Sequence, residues 1–236
     1  MKPLGAKAYG SIPHLLGSKL GPGDHTISEG QHKICTEKTR DRHDFVIVQV
    51  KYDGSNCSVA NIDGKIVALT RKGYAAESSP FEQHHVFAKW VDKNKKRFFP
   101  ILEPGQRICG EWMWQAHGIK YSIEGDPFVA FDFFEGAVRA CYADFFDIAE
   151  MGGLHTPRIV GIGFQPFGIE SSFEFSKDQR NDTVKSEEHP EGLIYRVERK
   201  GKVDFLAKWI RPDFETGKYL PFISGEKELF NYETSI

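Results

Sequence analysis

The sequence predicts an α+β fold, with largely antiparallel sheets and a few helices packed on them. Three observations lead there. Short β-branched and aromatic runs recur along the chain. Turn residues such as Asp63-Gly64 and Lys200-Gly201 divide neighbouring runs into hairpins. Few stretches carry a helical period, and no strand–helix alternation of the parallel kind appears.

The first forty-odd residues are rich in Gly, Pro, His and Ser without a clear period, and read as loops laid over a domain. Phe45 to Lys51 is an apolar β run, turned by Tyr52-Asp53-Gly54-Ser55-Asn56. Cys57 to Ala60 and Ile66 to Thr70 continue as strands joined at Asp63-Gly64. Phe81 to Arg97 reads as a helix: Phe87, Trp90 and Val91 share one face, and Lys93, Lys95, Lys96 and Arg97 load its C-terminal end. Pro100 and Pro104-Gly105 break the chain before two more strands, Arg107 to Trp114 and Phe128 to Glu135. Tyr142 to Met151 forms a second helix, stopped by Gly152-Gly153. Gly192 to Glu198 and Val203 to Ile210 make a hairpin around Lys200-Gly201. No repeat, low-complexity linker or domain boundary interrupts the 236 residues, so one domain over 1–236 is expected.

Composition narrows the function. A net charge of -2 gives no global basic field, so any nucleic-acid binding must come from a local patch. That disfavours a passive nucleic-acid coat and leaves an enzyme with a charged groove. Cys35, Cys57, Cys109 and Cys141 lie far apart with no C-x-x-C pair, which argues against zinc or a disulfide framework and fits a reducing, cytoplasmic setting. No run is apolar enough for a membrane span.

The chemistry begins at Lys51-Tyr52-Asp53-Gly54, where a lysine ends an apolar strand and a carboxylate and a glycine turn follow. A strand end fixes its side chain, and the glycine lets backbone approach a phosphate. A nucleophilic lysine must be neutral, although free lysine titrates near ~10.4, so neighbouring positive charge or a metal is required. Taken alone, the tetrapeptide is equally a surface turn. Other charges interrupt or end apolar strands in the same way: Arg71, Glu111, Asp132, Glu191 and Lys208. One such residue is most simply a structural ion pair. Several, of both signs, suggest a shared polyanion-and-metal site.

With these residues in place, the chain resembles a known family, the covalent nucleotidyltransferases, which comprise ATP-dependent ligases and mRNA-capping enzymes. Lys51-Tyr52-Asp53-Gly54 looks like the nucleophile motif, Ile108 to Trp112 like the third motif, and Val129 to Phe133 like the aromatic motif after it. Glu191-Gly192-Leu193-Ile194 resembles the fourth motif and Leu206-Ala207-Lys208-Trp209 the fifth. Asn56 is typical of the RNA-ligase-2 branch. Closer still are small stand-alone bacterial and phage RNA ligases. Their T-P-H-L-P-G-S-like start resembles Ile12 to Ser18, and their G-E-x-x-x-x-x-H-x-I-x-Y segment is matched by Gly110-Glu111, His117, Ile119 and Tyr121. Their A-K-x-V-R-P-x-F ending is similar to Ala207 to Phe214. Two departures stand out. Ile210 occupies the place of a second fifth-motif lysine, which leaves Lys208 with Arg211 as an open substitute. Only 28 residues follow Lys208, so no OB-fold is expected.

The resemblance implies an ATP-grasp-like nucleotidyltransferase domain and an ATP-dependent RNA ligase. Lys51 would form a lysine–AMP bond, AMP would pass to an RNA 5′-phosphate, and a 3′-hydroxyl would displace it. Lys208 would contact the α-phosphate, Arg71 a phosphate or the ribose, and Asn56 would help hold the nucleotide. Asp53, Glu111 and Glu191 would hold Mg²⁺, with Mn²⁺ as substitute, and Glu111 would instead or also bind a ribose hydroxyl. Phe131 would stack on adenine or serve as core. RNA ends are the expected partners, with no membrane, and a protein partner could replace the missing C-terminal domain. His14 and Ser18 read as loop packing with a phosphate contact as the alternative, His84-His85 as helix surface, and His117 as a structural hydrogen bond or a residue near the site. DNA-nick ligases and GTP-using capping enzymes share the core motifs, but the short C-terminus and Asn56 point away from both. A ligase-like binding module without catalysis would need a motif residue missing.

Overall fold

The computed structural model describes residues 2–180 and 182–232. In chain order the elements begin with α1 (Glu29–Thr36), β1 (Asp44–Lys51), β2 (Ser55–Ile62), β3 (Lys65–Thr70), a 3₁₀ turn (Ala76–Ser78) and α2 (Glu82–Phe98). There follow β4 (Gln106–Trp112), β5 (Ser122–Ile123), β6 (Phe128–Glu135), β7 (Val138–Arg139), α3 (Tyr142–Met151), β8 (Ile159–Gly163) and α4 (Ile169–Ser176). The last are β9 (Val184–Lys185), β10 (Gly192–Arg199), β11 (Lys202–Ile210) and α5 (Pro221–Ser224). The strands form two antiparallel sheets, β11-β10-β1-β8 and β3-β2-β4-β6-β7, plus the ribbon β5-β9. Among the described residues none of these closes into a barrel, and no helix is long and apolar enough to cross a membrane.

The elements follow from local chemistry. Asp63 and Gly64, and again Lys200 and Gly201, all have positive φ, the conformation of the two-residue turn whose twist suits a hairpin. In α2 the residues Phe87, Trp90 and Val91 are buried against sheet β3-β2-β4-β6-β7, where they meet Trp112 and Phe128. Its basic end is structural or solvated: Arg97 donates to Asp126 and to the Gly152 carbonyl, and Lys95 pairs with Asp92. Sheet β11-β10-β1-β8 alternates between two faces, with register shifts at Val48/Gln49 against β8 and at Val197/Glu198 against β11. Val46, Val48, Leu193, Tyr195, Val197 and Ala207 face a core closed by Ile34, Cys35 and Phe173 of α1 and α4. The opposite face carries Gln49, Lys51, Ile194, Arg196, Leu206 and Lys208.

Several elements depart from the sequence expectation. The N-terminal segment is not all loop: Ser28 and Gln31 form a capping box that starts α1. The helix expected from Phe81 starts at Glu82, with Phe81 as its cap, and the strand expected to reach Trp114 ends at Trp112. β8, α4 and the ribbon β5-β9 were not anticipated. The four cysteines are free, and burial pushes Cys35 and Cys109 up to about 12.

The sheets are clasped by buried charge. Arg196 of β10 bonds Asp132 of β6 and pairs with Glu198, while Asp132 accepts from the Tyr9 hydroxyl at 2.9 Å and pairs with Arg139 at 2.8 Å. Asp132 is fully buried and Arg196 nearly so. Asp132→Ala would take this carboxylate from Arg139 and leave Arg196 with Glu198 alone, so urea denaturation is expected to show a loss of about 3–5 kcal/mol. A loss below about 1 kcal/mol would mean that solvent or other groups take over the pairing.

Candidate active site

Between the two sheets lies a cleft of about 800 Å³. Lys51, Asp53, Asn56, Arg71, Glu111, Phe131 and Lys208 line it, and Glu191 reaches it through Lys51. Segments more than 150 residues apart in sequence therefore meet in one place.

Each residue is held by its strand. Lys51 is the last residue of β1 and pairs in register with Gly192, which puts Glu191 beside it. The Lys51 Nζ donates to Glu191 Oε2 at 2.5 Å. Gly192 is obligatory here, because a Cβ at that position would run into the Trp209 carbonyl of β11. Two residues along, Ile194 pairs with Lys208 and with Gln49, so Lys208 shares the cleft face with Lys51.

On the other wall, Asn56 of β2 is directly paired with Glu111 of β4. The Gly54 N–H donates to Glu111 Oε1 at 3.1 Å, and a Cβ on Gly54 would come within 2.7 Å of the Trp112 carbonyl. Close approach of the turn to β4 thus requires the glycine. The Asp53 carboxylate accepts the Gly118 N–H at 2.5 Å, and its own N–H donates to the Tyr121 hydroxyl. Phe131 owes its place to a bulge: β6 pairs Asp132 with Cys109 and Ala130 with Gly110, which leaves Phe131 without a partner and turned to the cleft beside Tyr9.

The electrostatics are dominated by carboxylates. Burial works against the Lys51 charge, yet Glu191, Glu111 and Asp53 together outweigh it and hold the ammonium above the usual lysine range. Burial pushes Glu111 up to about 8 and Glu191 up to about 7, in each case against the pull of Lys51. Lys208 is lowered, first by burial and then by Lys51. Neutral or cationic charge added at the carboxylates would free the Lys51 amine.

Among the described residues no three His, Cys, Asp or Glu groups converge to cage a metal. Asp53, Glu111 and Glu191 instead surround Lys51, each with one oxygen committed to a protein donor. That donor set fits a hard ion that keeps most of its waters and takes further oxygens from a phosphate.

Other candidates separate by geometry. Arg71 donates to the Gly10 carbonyl and shares a bond with Ser11 Oγ, which ties the N-terminal arm to the cleft rim. Arg211 turns away, with Nε on the Pro190 carbonyl and Nη1 2.8 Å from Asp213, and does not line the cleft. His117 shares a hydrogen bond with Gln83 at 3.1 Å and lies behind the turn of Asp53. His14 is buried, shares a 2.7 Å bond with Ser18 Oγ and lies 3.0 Å from Asp24, whose other oxygen is 4.0 Å from Lys208. Asp24, Tyr9 and Arg196 escaped sequence reasoning, and Ile194 and Leu206 stood in the fourth and fifth motifs without a role of their own. Those two look like ordinary strand residues, and Asp24 lies in a loop that only folding brings to β11.

Residues 44–210 match the sequence model of the RNA ligase family. No curated protein matches the chain. Among solved structures it is similar to form 1 of an archaeal ATP-dependent RNA ligase, at 19% identity and a TM-score of 0.52, covering 86% of this chain and 48% of that one. It is also similar to Naegleria gruberi RNA ligase variants. One, with AMP and Mn, has 15% identity, a TM-score of 0.51 and coverage of 87% and 61%. Another, with ATP and Mn, has 16% identity, a TM-score of 0.50 and coverage of 93% and 64%. At these identities the likeness is one of fold. The chain spans about half to two thirds of the length of these proteins.

Proposed function

We propose, from the premise that this chain belongs to the RNA ligase family, that it is a single nucleotidyltransferase domain that joins RNA ends at the expense of ATP through a lysine–AMP intermediate. The observation that carries the reading is Lys51, fixed at a strand end in a cleft that also holds an aromatic ring, a second lysine and three carboxylates.

Lys51 attacks the α-phosphorus of ATP in line with the departing pyrophosphate and becomes a phosphoramidate. Phosphoryl transfer of this kind depends on positioning and on neutralising charge. Lys208, on the same sheet face, is the cation next to the α-phosphate. Arg71, at the rim, offers a planar fork to a phosphate or to the ribose region. Phe131 stacks on adenine, with Ile194 and Leu206 on the opposite wall as the apolar counterpart. Asn56 and Glu111, side by side in register, bind the ribose hydroxyls. Asp53, Glu111 and Glu191 would hold Mg²⁺ or Mn²⁺ through waters, and the ion would neutralise phosphate charge. The same carboxylates, once neutralised, no longer keep Lys51 protonated. AMP then passes to a 5′-phosphate, and a 3′-hydroxyl releases it as the strands join.

The deciding experiment is incubation with labelled ATP and a divalent ion, followed by denaturing electrophoresis. A covalent protein–AMP band is expected, with GTP giving none. Excess chelator should remove the band, and Glu191→Ala should reduce it by about 10²-fold or more, since the change takes away both the lysine partner and an ion ligand. Full labelling in chelator would end the metal role.

A further inference from the structure

The cleft extends beyond the groups that serve ATP. Its lining includes Arg71, Lys72 and Tyr74 from the turn after β3, and Ser79, Phe81 and His84 from the start of α2. Two large aromatic rings stand open to solvent there: Tyr74 is 43% exposed and Phe81 54%. Single exposed rings are common on protein surfaces, so what distinguishes these two is that both line one cleft.

Phe81 is held in place. Its N–H donates to Ser79 Oγ at 3.3 Å, the same oxygen shares a 2.6 Å bond with His84 Nδ1, and His85 Nε2 donates to the Ser79 carbonyl at 2.6 Å. The His84-His85 pair, which as a sequence reads as helix surface, is thus a clamp on the loop before α2. The Phe81 ring lies edge-on to His84, with centroids 5.9 Å apart. Burial pushes His84 down to about 4, so it orients the loop as a neutral ring. The backbone of Tyr74 is fixed by a tight turn in which Thr70 N–H donates to its carbonyl at 2.9 Å and Gly73, at φ +84°, donates to the Thr70 carbonyl. Arg71 and Lys72 lie in that turn, and the Lys2 ammonium is 5.4 Å from the centre of the Tyr74 ring. The Phe81 side carries Glu77 and Glu82 instead. Charge therefore runs across the mouth, cationic beside Tyr74 and acidic beside Phe81.

Rigid aromatic faces beside cations are the means by which single strands are held without sequence readout: bases stack and phosphates follow the positive side. A base-paired end exposes only the outer face of its last pair, whereas each unpaired nucleotide can present a face of its own. We propose that Tyr74 and Phe81 form a stacking shelf for unpaired nucleotides at the 5′-phosphate end of the RNA, with the phosphates along Lys72 and Lys2. The proposal rests on the ligase reading and names its substrate class, an end that is single-stranded where it enters the cleft.

The test compares wild type, Tyr74→Ala, Phe81→Ala and Phe81→Trp in two assays. One is labelling with ATP; the other is binding of a 5′-phosphorylated oligoribonucleotide, either single-stranded or fully paired at its end, followed by fluorescence anisotropy. The alanine variants should label with AMP as wild type does, yet bind the single strand at least about tenfold more weakly, as loss of one base stack implies. Phe81→Trp should restore binding, and wild type should prefer the unpaired end. Unchanged binding in both alanine variants overturns the proposal, as does equal affinity for paired and unpaired ends. A fall in labelling that parallels the fall in binding also overturns it, because the rings would then serve the nucleotide or the fold. If wild type binds the single strand but never labels, the ligase reading fails and the shelf stands as a separate result.

Discussion

Lys51→Ala is expected to abolish the protein–AMP band, a drop of at least about 10³-fold, while circular dichroism and the urea midpoint stay close to wild type. The reason is the position of Lys51. It ends β1, 22% of its side chain is exposed to the cleft, and its ion pair with Glu191 lies at the cleft wall rather than inside the core. Removing the amine takes away the atom proposed to form the covalent bond, and Lys208, held two residue pairs away along the sheet, is not expected to replace it. Lys51→Arg should fail equally, because guanidinium stays charged at any working pH. In wild type the three carboxylates hold the amine protonated, so labelling should rise with pH through the neutral and mildly alkaline range. Labelling of Lys51→Ala at the wild-type level would remove it as the nucleophile.

Lys208→Ala is expected to lower labelling by about 10²- to 10³-fold and to move the pH profile upward. Both effects come from one charge. Lys51 depresses the Lys208 ammonium, and the interaction is mutual, so deleting Lys208 lets Lys51 bind its proton more tightly. A more basic amine deprotonates at higher pH, which gives the alkaline direction. Lys208→Arg should also label poorly, with a smaller shift, because the charge survives but its geometry does not. Arg211→Ala should be near neutral, since that side chain is engaged by Pro190 and Asp213 outside the cleft. The reverse result, with Arg211→Ala inactive and Lys208→Ala normal, would exchange the two assignments.

How far this could be read from the chain depends on the kind of residue. The strands β1, β4, β6, β10 and β11 are legible because each is an apolar run, and the charged residues that matter stand out by interrupting such runs. The helices α2 and α3 are legible for a similar reason, a periodic apolar face with a clear stop. Helix α1 hides because its apolar face is two residues wide, Ile34 and Cys35, although the capping box Ser28–Gln31 is a signal that was there to use. β8 contains two glycines in five residues and α4 starts without a side-chain cap, so neither has a strong local preference. Meeting points are less legible still. Nothing near Asp24 points to Lys208, and nothing near Ser79 points to Phe81 as a fixed ring. Those relations arise from the path of loops across strands, which is set by the packing of the whole chain.

The bulge in β6 gives that strand two reading frames. Phe128 and Ala130 face the helix-covered core, and so does Phe133, an odd number of residues later. Strict alternation cannot satisfy both halves, and the extra residue at Phe131 is what reconciles them. The site is therefore encoded partly as length. Another flat ring could replace Phe131 without disturbing its neighbours. Deleting Phe131 would place Phe133 two residues after Ala130, so plain alternation would keep Phe133 in the core and Asp132 on the face toward Arg196, and only the ring in the cleft would be lost. The cleft face at Phe131 and the clasp between the sheets are in this sense separable: the ring needs the extra residue, whereas Asp132 would keep its side of the strand without it.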